Sequence, residues 1–126
     1  MLVFEAPIDL LSFIELFPKN WQQHNYLSLG GVSGKALQQF LSERPDVERV
    51  FLCLDADKAG EDACKRLAAL LPDTVSVTRI QPCMKDWNDV LVHRAEIPNR
   101  NYFKSIVLKE PSKPETVKII RMSDVE

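Results

Sequence analysis

The sequence predicts an α/β fold, a mostly parallel sheet of about four strands with helices on both faces, on three observations. Short apolar runs alternate with stretches of helical spacing. One of those runs, Val50-Phe51-Leu52-Cys53-Leu54, is apolar throughout, as a central parallel strand buried on both faces must be. Acidic residues stand where strands end. In such sheets crossovers are right-handed and chemistry sits at the carboxyl ends of the strands.

Leu2-Val3-Phe4 is a short buried strand. Over residues 6–17, Ile8, Leu10, Leu11, Ile14 and Phe17 recur at helical spacing; Pro7 suits the first turn, where its missing N–H is not needed, and Pro18 stops the helix. Residues 26–29 form a second strand closed by Gly30-Gly31, and Ser33 offers an N-cap to a helix that runs to about Arg44, before Pro45. Val50 to Leu54 leads straight into Asp55-Ala56-Asp57. Residues 60–71 set Ala63, Leu67, Leu70 and Leu71 on one helix face; Pro72-Asp73 turns, and residues 74–80 alternate as a strand. A polar loop over 81–85 precedes a helix from about Trp87 to Ala95. From Glu110 onward Pro, Lys, Ser and Glu dominate, so residues 1–109 read as one domain and 110–126 as a linker or weakly ordered tail, with room for one strand at 117–120.

A chain of 126 residues can bury a single core without cross-links. Its 45% hydrophobic and 27% charged content is that of a soluble cytoplasmic protein. No apolar run approaches the roughly 20 residues that cross a bilayer, so no membrane partner, anchor or signal peptide is expected. Cys53, Cys64 and Cys83 form neither a CxxC pair nor an even set, which fits thiols in a reducing compartment. The net charge of −2 argues against a domain that holds nucleic acid by its own basic surface, so other domains are expected to supply much of the grip. An apolar strand immediately after Met1 suggests a piece of a longer protein.

Glu5 follows the first strand, and Asp55 and Asp57 follow the third. Converging carboxylates repel one another unless a cation joins them, and Mg²⁺ takes such oxygen sets, with water and substrate phosphate completing its shell. Each also has a plain structural use: Asp57 as an N-cap, Asp55 in a turn, Glu5 as a favourable charge at a helix start. Asp86 and Asp89, after the fourth strand, bring a second acidic cluster to the same edge, or cap the next helix, or both. Asp9, four residues after Glu5, is an outer carboxylate of the site or a solvated one.

His24 and His93 stand alone, without metal-ligand spacing. Residues 30–35 lack the spacing of a phosphate-binding GxxxxGK[ST] loop and read as a strand-to-helix turn, with Lys35 left within reach of a phosphate. Lys58 and Lys85 lie near the acidic edge and suit a nucleic-acid backbone; Lys65 and Arg66 read as a solvated helix face. Trp21 and Trp87 either stack on bases or pack, and packing is the commoner use.

In order and spacing, Glu5-Ala6-Pro7-Ile8-Asp9, Leu54-Asp55-Ala56-Asp57-Lys58-Ala59-Gly60 and Lys85-Asp86-Trp87-Asn88-Asp89 resemble the Toprim domain shared by bacterial primases, topoisomerases, some nucleases and recombination proteins. The resemblance covers residues 2 to about 91. It implies a Toprim/Rossmann-like fold with Mg²⁺, or Mn²⁺ in its place, held by Glu5, Asp55, Asp57 and Asp86. The first three of these are the catalytic residues, and Asp9, Asn88 and Asp89 serve an outer shell or a second ion. The variety it is most similar to belongs to primase-like proteins of bacterial mobile genetic elements. That likeness implies a DNA template and nucleotides as substrates and a neighbouring zinc-binding region. Residues 117–126 are similar to the lead-in of a helicase-type ATPase domain.

Two departures stand out. Ala6 replaces the glycine that bacterial primases tend to have there, and Asp86-Trp87-Asn88 replaces Asp-Pro-Asp. Asn88 ligates through a neutral carbonyl oxygen, so one strong ion and one weak one are expected. The implied reaction is in-line phosphoryl transfer with Glu5 as ligand or general base. Neither Tyr26 nor Tyr102 carries a motif marking it as a nucleophile, so primer synthesis is expected ahead of strand passage; a Toprim nuclease and a non-catalytic binding module are the alternatives. A phospho-acceptor domain would carry its acidic pair after the first strand instead.

Overall fold

Successive residues of a strand point to opposite faces and residues two apart share one, which sorts the apolar residues of this chain into two cores separated by one sheet. The computed structural model describes residues 1–30 and 33–111. Within them run β1 (Leu2–Phe4), α1 (Pro7–Leu16), β2 (Tyr26–Ser28), α2 (Lys35–Glu43), β3 (Arg49–Leu52), α3 (Lys58–Leu70), β4 (Ser76–Pro82), α4 (Trp87–Val92) and β5 (Phe103–Lys109). Among the described residues the sheet order is β2-β1-β3-β4-β5; the first four strands are parallel and β5 is antiparallel to β4.

Val3, Val50, Leu52 and Val77 face one side, where Leu37 and Leu41 of α2 and Ala63, Cys64, Leu67 and Ala68 of α3 close over them. Leu2, Phe4, Cys53 and Ile80 face the other, under Leu10, Phe13 and Leu16 of α1 and Trp87 and Val90 of α4. Helices therefore cover both faces, as expected.

Trp87 is the largest fully buried side chain. Its ring meets Phe13 edge-on at 4.9 Å between centroids, and its Nε1–H donates to the Cys53 carbonyl at 3.0 Å. An indole buries a large apolar surface and still finds a partner for its one polar atom. Packing is thus the use of Trp87, whereas Trp21 is 42% exposed. Cys53 and Cys64 are buried free thiols, and Cys83 is exposed.

Several boundaries differ from the expected ones. α2 begins at Lys35 with Gly34 at its N-cap, although Ser33 Oγ does accept the Lys35 N–H at 3.3 Å. β4 starts and ends two residues later than the alternation suggested, running through Gln81 and Pro82. Pro82 is tolerated because β3 pairs with β4 only as far as Arg79, so no ladder bond on that side is lost. α4 stops at Val92, and Arg94–Glu96 is a separate 3₁₀ turn. β5 is a fifth strand that the sequence pattern hid, because Lys104, Ser105 and Lys109 interrupt its apolar residues. The strand expected at 117–120 and the tail from 112 lie outside the described residues. No helix among the described residues is long and apolar enough to cross a membrane.

Truncating the buried indole, Trp87→Ala, is expected to cost about 3–5 kcal/mol in urea denaturation. Trp87→Phe keeps most of the volume but leaves the Cys53 carbonyl without its donor, a loss of about 1–3 kcal/mol.

Candidate functional site

β1, β3 and β4 are adjacent and parallel, so the residues that follow them emerge at one edge. Glu5 follows β1, Asp55 and Asp57 follow β3, and Asp86 follows β4. Strand order, which no local pattern encodes, is what brings these acids together.

Backbone bonds hold the carboxylates in place. Glu5 Oε1 accepts the Asp55 N–H at 3.4 Å, linking the ends of β1 and β3. Asp57 caps α3, its Oδ1 accepting the Gly60 N–H at 2.7 Å, and Asp86 caps α4, its Oδ1 accepting the Asp89 N–H at 2.8 Å. Asp9 is buried at 5% exposure and accepts the Asn88 N–H at 3.2 Å, so two carboxylates serve the first turn of one helix. The Ala56 N–H donates to the Lys85 carbonyl at 2.7 Å and ties the loop after β3 to the loop after β4. The structural uses of Asp57 and Asp86 are therefore real, and each engages one carboxylate oxygen.

Burial pushes the Asp55 carboxyl up from 3.8 to about 7, and the nearby charges of Glu5, Asp9, Asp86 and Asp57 add to the rise. Asp9 is raised as well, first by burial and then by Asp86 and Asp89, against the lowering effect of the Asn88 N–H. The acids of this edge thus add to the burial that disfavours the charged forms of Asp55 and Asp9, and the side-chain groups that they offer are hard oxygens. That chemistry suits a divalent cation of the Mg²⁺ class. Among the described residues, no three acidic, histidine or cysteine side chains already stand at common ligand range. The caps leave Asp57 and Asp86 a second oxygen each for such an ion.

Other expected residues are less direct. Asn88 Oδ1 faces the Ser12 hydroxyl at 3.4 Å, and Asp89 contributes its backbone to the α4 cap. Lys58 is exposed and paired with Asp62 at 3.1 Å. Lys35 and Lys85 are exposed, Lys35 at the start of α2.

Two positions that shape this edge were given no such part by the sequence reading. Gly60 lies so close to the end of β3 that a Cβ there would overlap the Asp55 carbonyl oxygen. Arg79, on β4, is 3% exposed and reaches that same carbonyl at 2.9 Å. The signal for Arg79 was present: it continues the inward series Val75, Val77, and a charge at an inward position needs a reason.

The sequence matches the Toprim-like family over residues 2–91. An uncharacterized protein of Mycoplasma pneumoniae, the MG010 homolog, is 34% identical over 71 residues, which make up 54% of this chain and 34% of that protein. The structure is similar to the primase fragment of the bacteriophage T7 primase-helicase protein, with a TM-score of 0.62 and 24% identity over 79% of this chain and 41% of that one. The chain spans well under two thirds of either.

Two outcomes are expected. Folded Asp55 keeps its proton to about pH 7 while the unfolded chain releases it near 3.8. The folded state therefore binds more protons between those values, and this contribution is complete below the lower value and lost as pH rises through the upper. Asp55→Asn, which mimics the protonated acid, should unfold several degrees above wild type at about pH 8 without metal and close to wild type at about pH 4, in thermal melts. Gly60→Ala should lose about 1–3 kcal/mol by overpacking against the Asp55 carbonyl, measured by urea denaturation.

Proposed function

The chain belongs to the Toprim-like family, and from that premise we propose that its acidic edge binds a divalent cation for phosphodiester chemistry on nucleic acid, as the catalytic domain of a primase-like replication protein. The observation that carries this reading is the crowding of Glu5, Asp9, Asp57 and Asp86 around Asp55, which is partly buried with its proton retained to about pH 7. Such an arrangement is costly for a fold and useful for a cation.

Glu5, Asp55, Asp57 and Asp86 would hold Mg²⁺, or Mn²⁺ in its place. When bound, the ion supplies charge stabilisation for the phosphoryl group and acidifies the attacking hydroxyl. Asp9 keeps the start of α4, and with it Asp86, in position. Glu5, which reaches across from β1 to the Asp55 N–H, would serve as a ligand or as the base that takes a hydroxyl proton. Lys58 and Lys85, exposed beside the edge, and Lys35 at the start of α2 would meet substrate phosphates. Asn88 and Asp89 would serve an outer shell or a second, weaker ion.

Likeness to the T7 primase-helicase fragment supports primer synthesis on a DNA template over hydrolysis. It also supports a helicase-type ATPase neighbour, and the sequence resemblance adds a zinc-binding one. With a net charge of −2, this domain would rely on those neighbours to grip nucleic acid. We read the parent as a cytoplasmic protein of a mobile genetic element. A second reading, a non-catalytic binding module, is favoured by one observation: the Asn88 carbonyl oxygen, expected as a ligand, faces the Ser12 hydroxyl.

Thermal unfolding of wild type and of Asp55→Ala/Asp57→Ala against Mg²⁺ and Mn²⁺ tests the site. At about 100 times its dissociation constant a ligand adds roughly 2.7 kcal/mol, several degrees in a domain of this size, and only wild type should gain it. The gain should shrink below about pH 7, where protons compete for Asp55. No metal response in wild type would sink the reading. Metal-dependent nucleotide incorporation by the domain with its neighbours would exclude the binding module, and cleavage without incorporation would identify a nuclease.

A further inference from the structure

Arg79 is a buried cation whose partners are not acids. Its Nη2 donates to the Asp55 carbonyl at 2.9 Å, its Nη1 to the Gly60 carbonyl at 3.3 Å and to Cys64 Sγ at 2.7 Å, and its Nε to Gln81 Oε1 at 3.3 Å. Two backbone carbonyls, a thiol and an amide oxygen receive it, at 3% exposure. A side chain whose only task was to fill the space under α3 would be served with less desolvation by an aliphatic residue. What the guanidinium adds is a rigid planar fork.

That fork spans the two ends of one short arc. Asp55 follows β3 and Gly60 stands in the first turn of α3, and the arc from one to the other carries both carboxylates of the Asp-x-Asp pair. The arc is held at other points by Glu5 on the Asp55 N–H, by the Lys85 carbonyl on the Ala56 N–H and by Asp57 on the Gly60 N–H. Arg79 alone of these grips both ends, and it does so from β4, the neighbouring strand. The absence of room for a Cβ at Gly60 is the counterpart of this clamp, since it lets the helix start approach the Asp55 carbonyl closely enough for one side chain to reach both.

We infer that Arg79 is a positioning residue, a clamp on the Asp55 and Gly60 carbonyls that sets the spacing of the Asp55 and Asp57 carboxylates for the cation. The inference rests on the metal reading above for its functional half; its structural half stands apart from it. Lysine carries the charge at a single point on a flexible stem, without the rigid planar fork that spans the two carbonyls, so Arg79→Lys separates geometry from charge.

The test compares Arg79→Lys and Arg79→Gln with Val77→Ala, a neighbour from the same core, in the 126-residue chain. Mg²⁺ and Mn²⁺ affinities are read by calorimetry, and amide exchange at Ala56 and Gly60 is read without metal. Both Arg79 variants should lose about 10–100-fold in metal affinity, the usual effect of removing a group that orients a ligand, with faster exchange at Ala56 and Gly60. Val77→Ala should lower the unfolding midpoint and change neither readout. Wild-type affinity in Arg79→Lys, or an equal loss in Val77→Ala, overturns the clamp. If wild type itself binds no metal, the metal reading fails and exchange decides the clamp alone. Faster exchange in Arg79→Lys but not in Val77→Ala upholds it, and equal rates overturn it. Should Arg79→Gln not fold, Arg79→Lys still decides.

Discussion

Mutual repulsion among carboxylates at one end of the sheet is the constraint that the rest of this structure answers. Glu5, Asp55, Asp57 and Asp86 follow three adjacent parallel strands, with Asp9 buried behind them. Left to themselves such acids would splay apart or keep their protons, and the Asp55 carboxyl, raised first by burial and further by these neighbouring charges, shows the second response. The fold counters with backbone N–H groups. Asp57, Asp86 and Asp9 each accept one at a helix start, where the helix dipole also favours a negative charge. Capping and site-building are thus one arrangement, seen from the helix or from the edge.

Holding the edge requires that the strands and helices behind it be rigid, and each core does part of that work. On the α1 and α4 side, Trp87 packs against Phe13 and ties its indole N–H to the Cys53 carbonyl, two residues before Asp55. On the α2 and α3 side, Arg79 ties β4 to the loop after β3. The two faces therefore grip the same stretch of chain from opposite directions. The stretch cannot shift toward one helix layer without breaking bonds to the other.

Membership of the Toprim-like family and the likeness to the T7 primase fragment agree with this geometry at different levels. The family match covers the elements that carry the acids, β1 through α4, and stops before β5. At 24% identity the solved structure speaks to the fold. What the comparisons leave to this chain's own residues is the manner in which the acids are held. Here the particulars are Asn88 turned to Ser12, Gly60 against Asp55, and Arg79 beneath both.

The sequence by itself determined β1 to β4, α1 to α4 and the acids between them, because periods of two and near four, prolines and capping residues are local signals. Glu5, Asp55, Asp57 and Asp86 were legible as acids at strand ends for the same reason. β5 was not, since its lysines and serine disguise the alternation and its place depends on the open edge of β4. Strand order was also beyond reach, yet it alone makes residues 50 apart, Glu5 and Asp55, into neighbours. The pairing of Ser12 with Asn88, 76 residues apart, and the reach of Arg79 to Asp55 belong to the same class. Only the tertiary structure decided these, because they depend on which strands and helices lie side by side, and no window of sequence contains both partners.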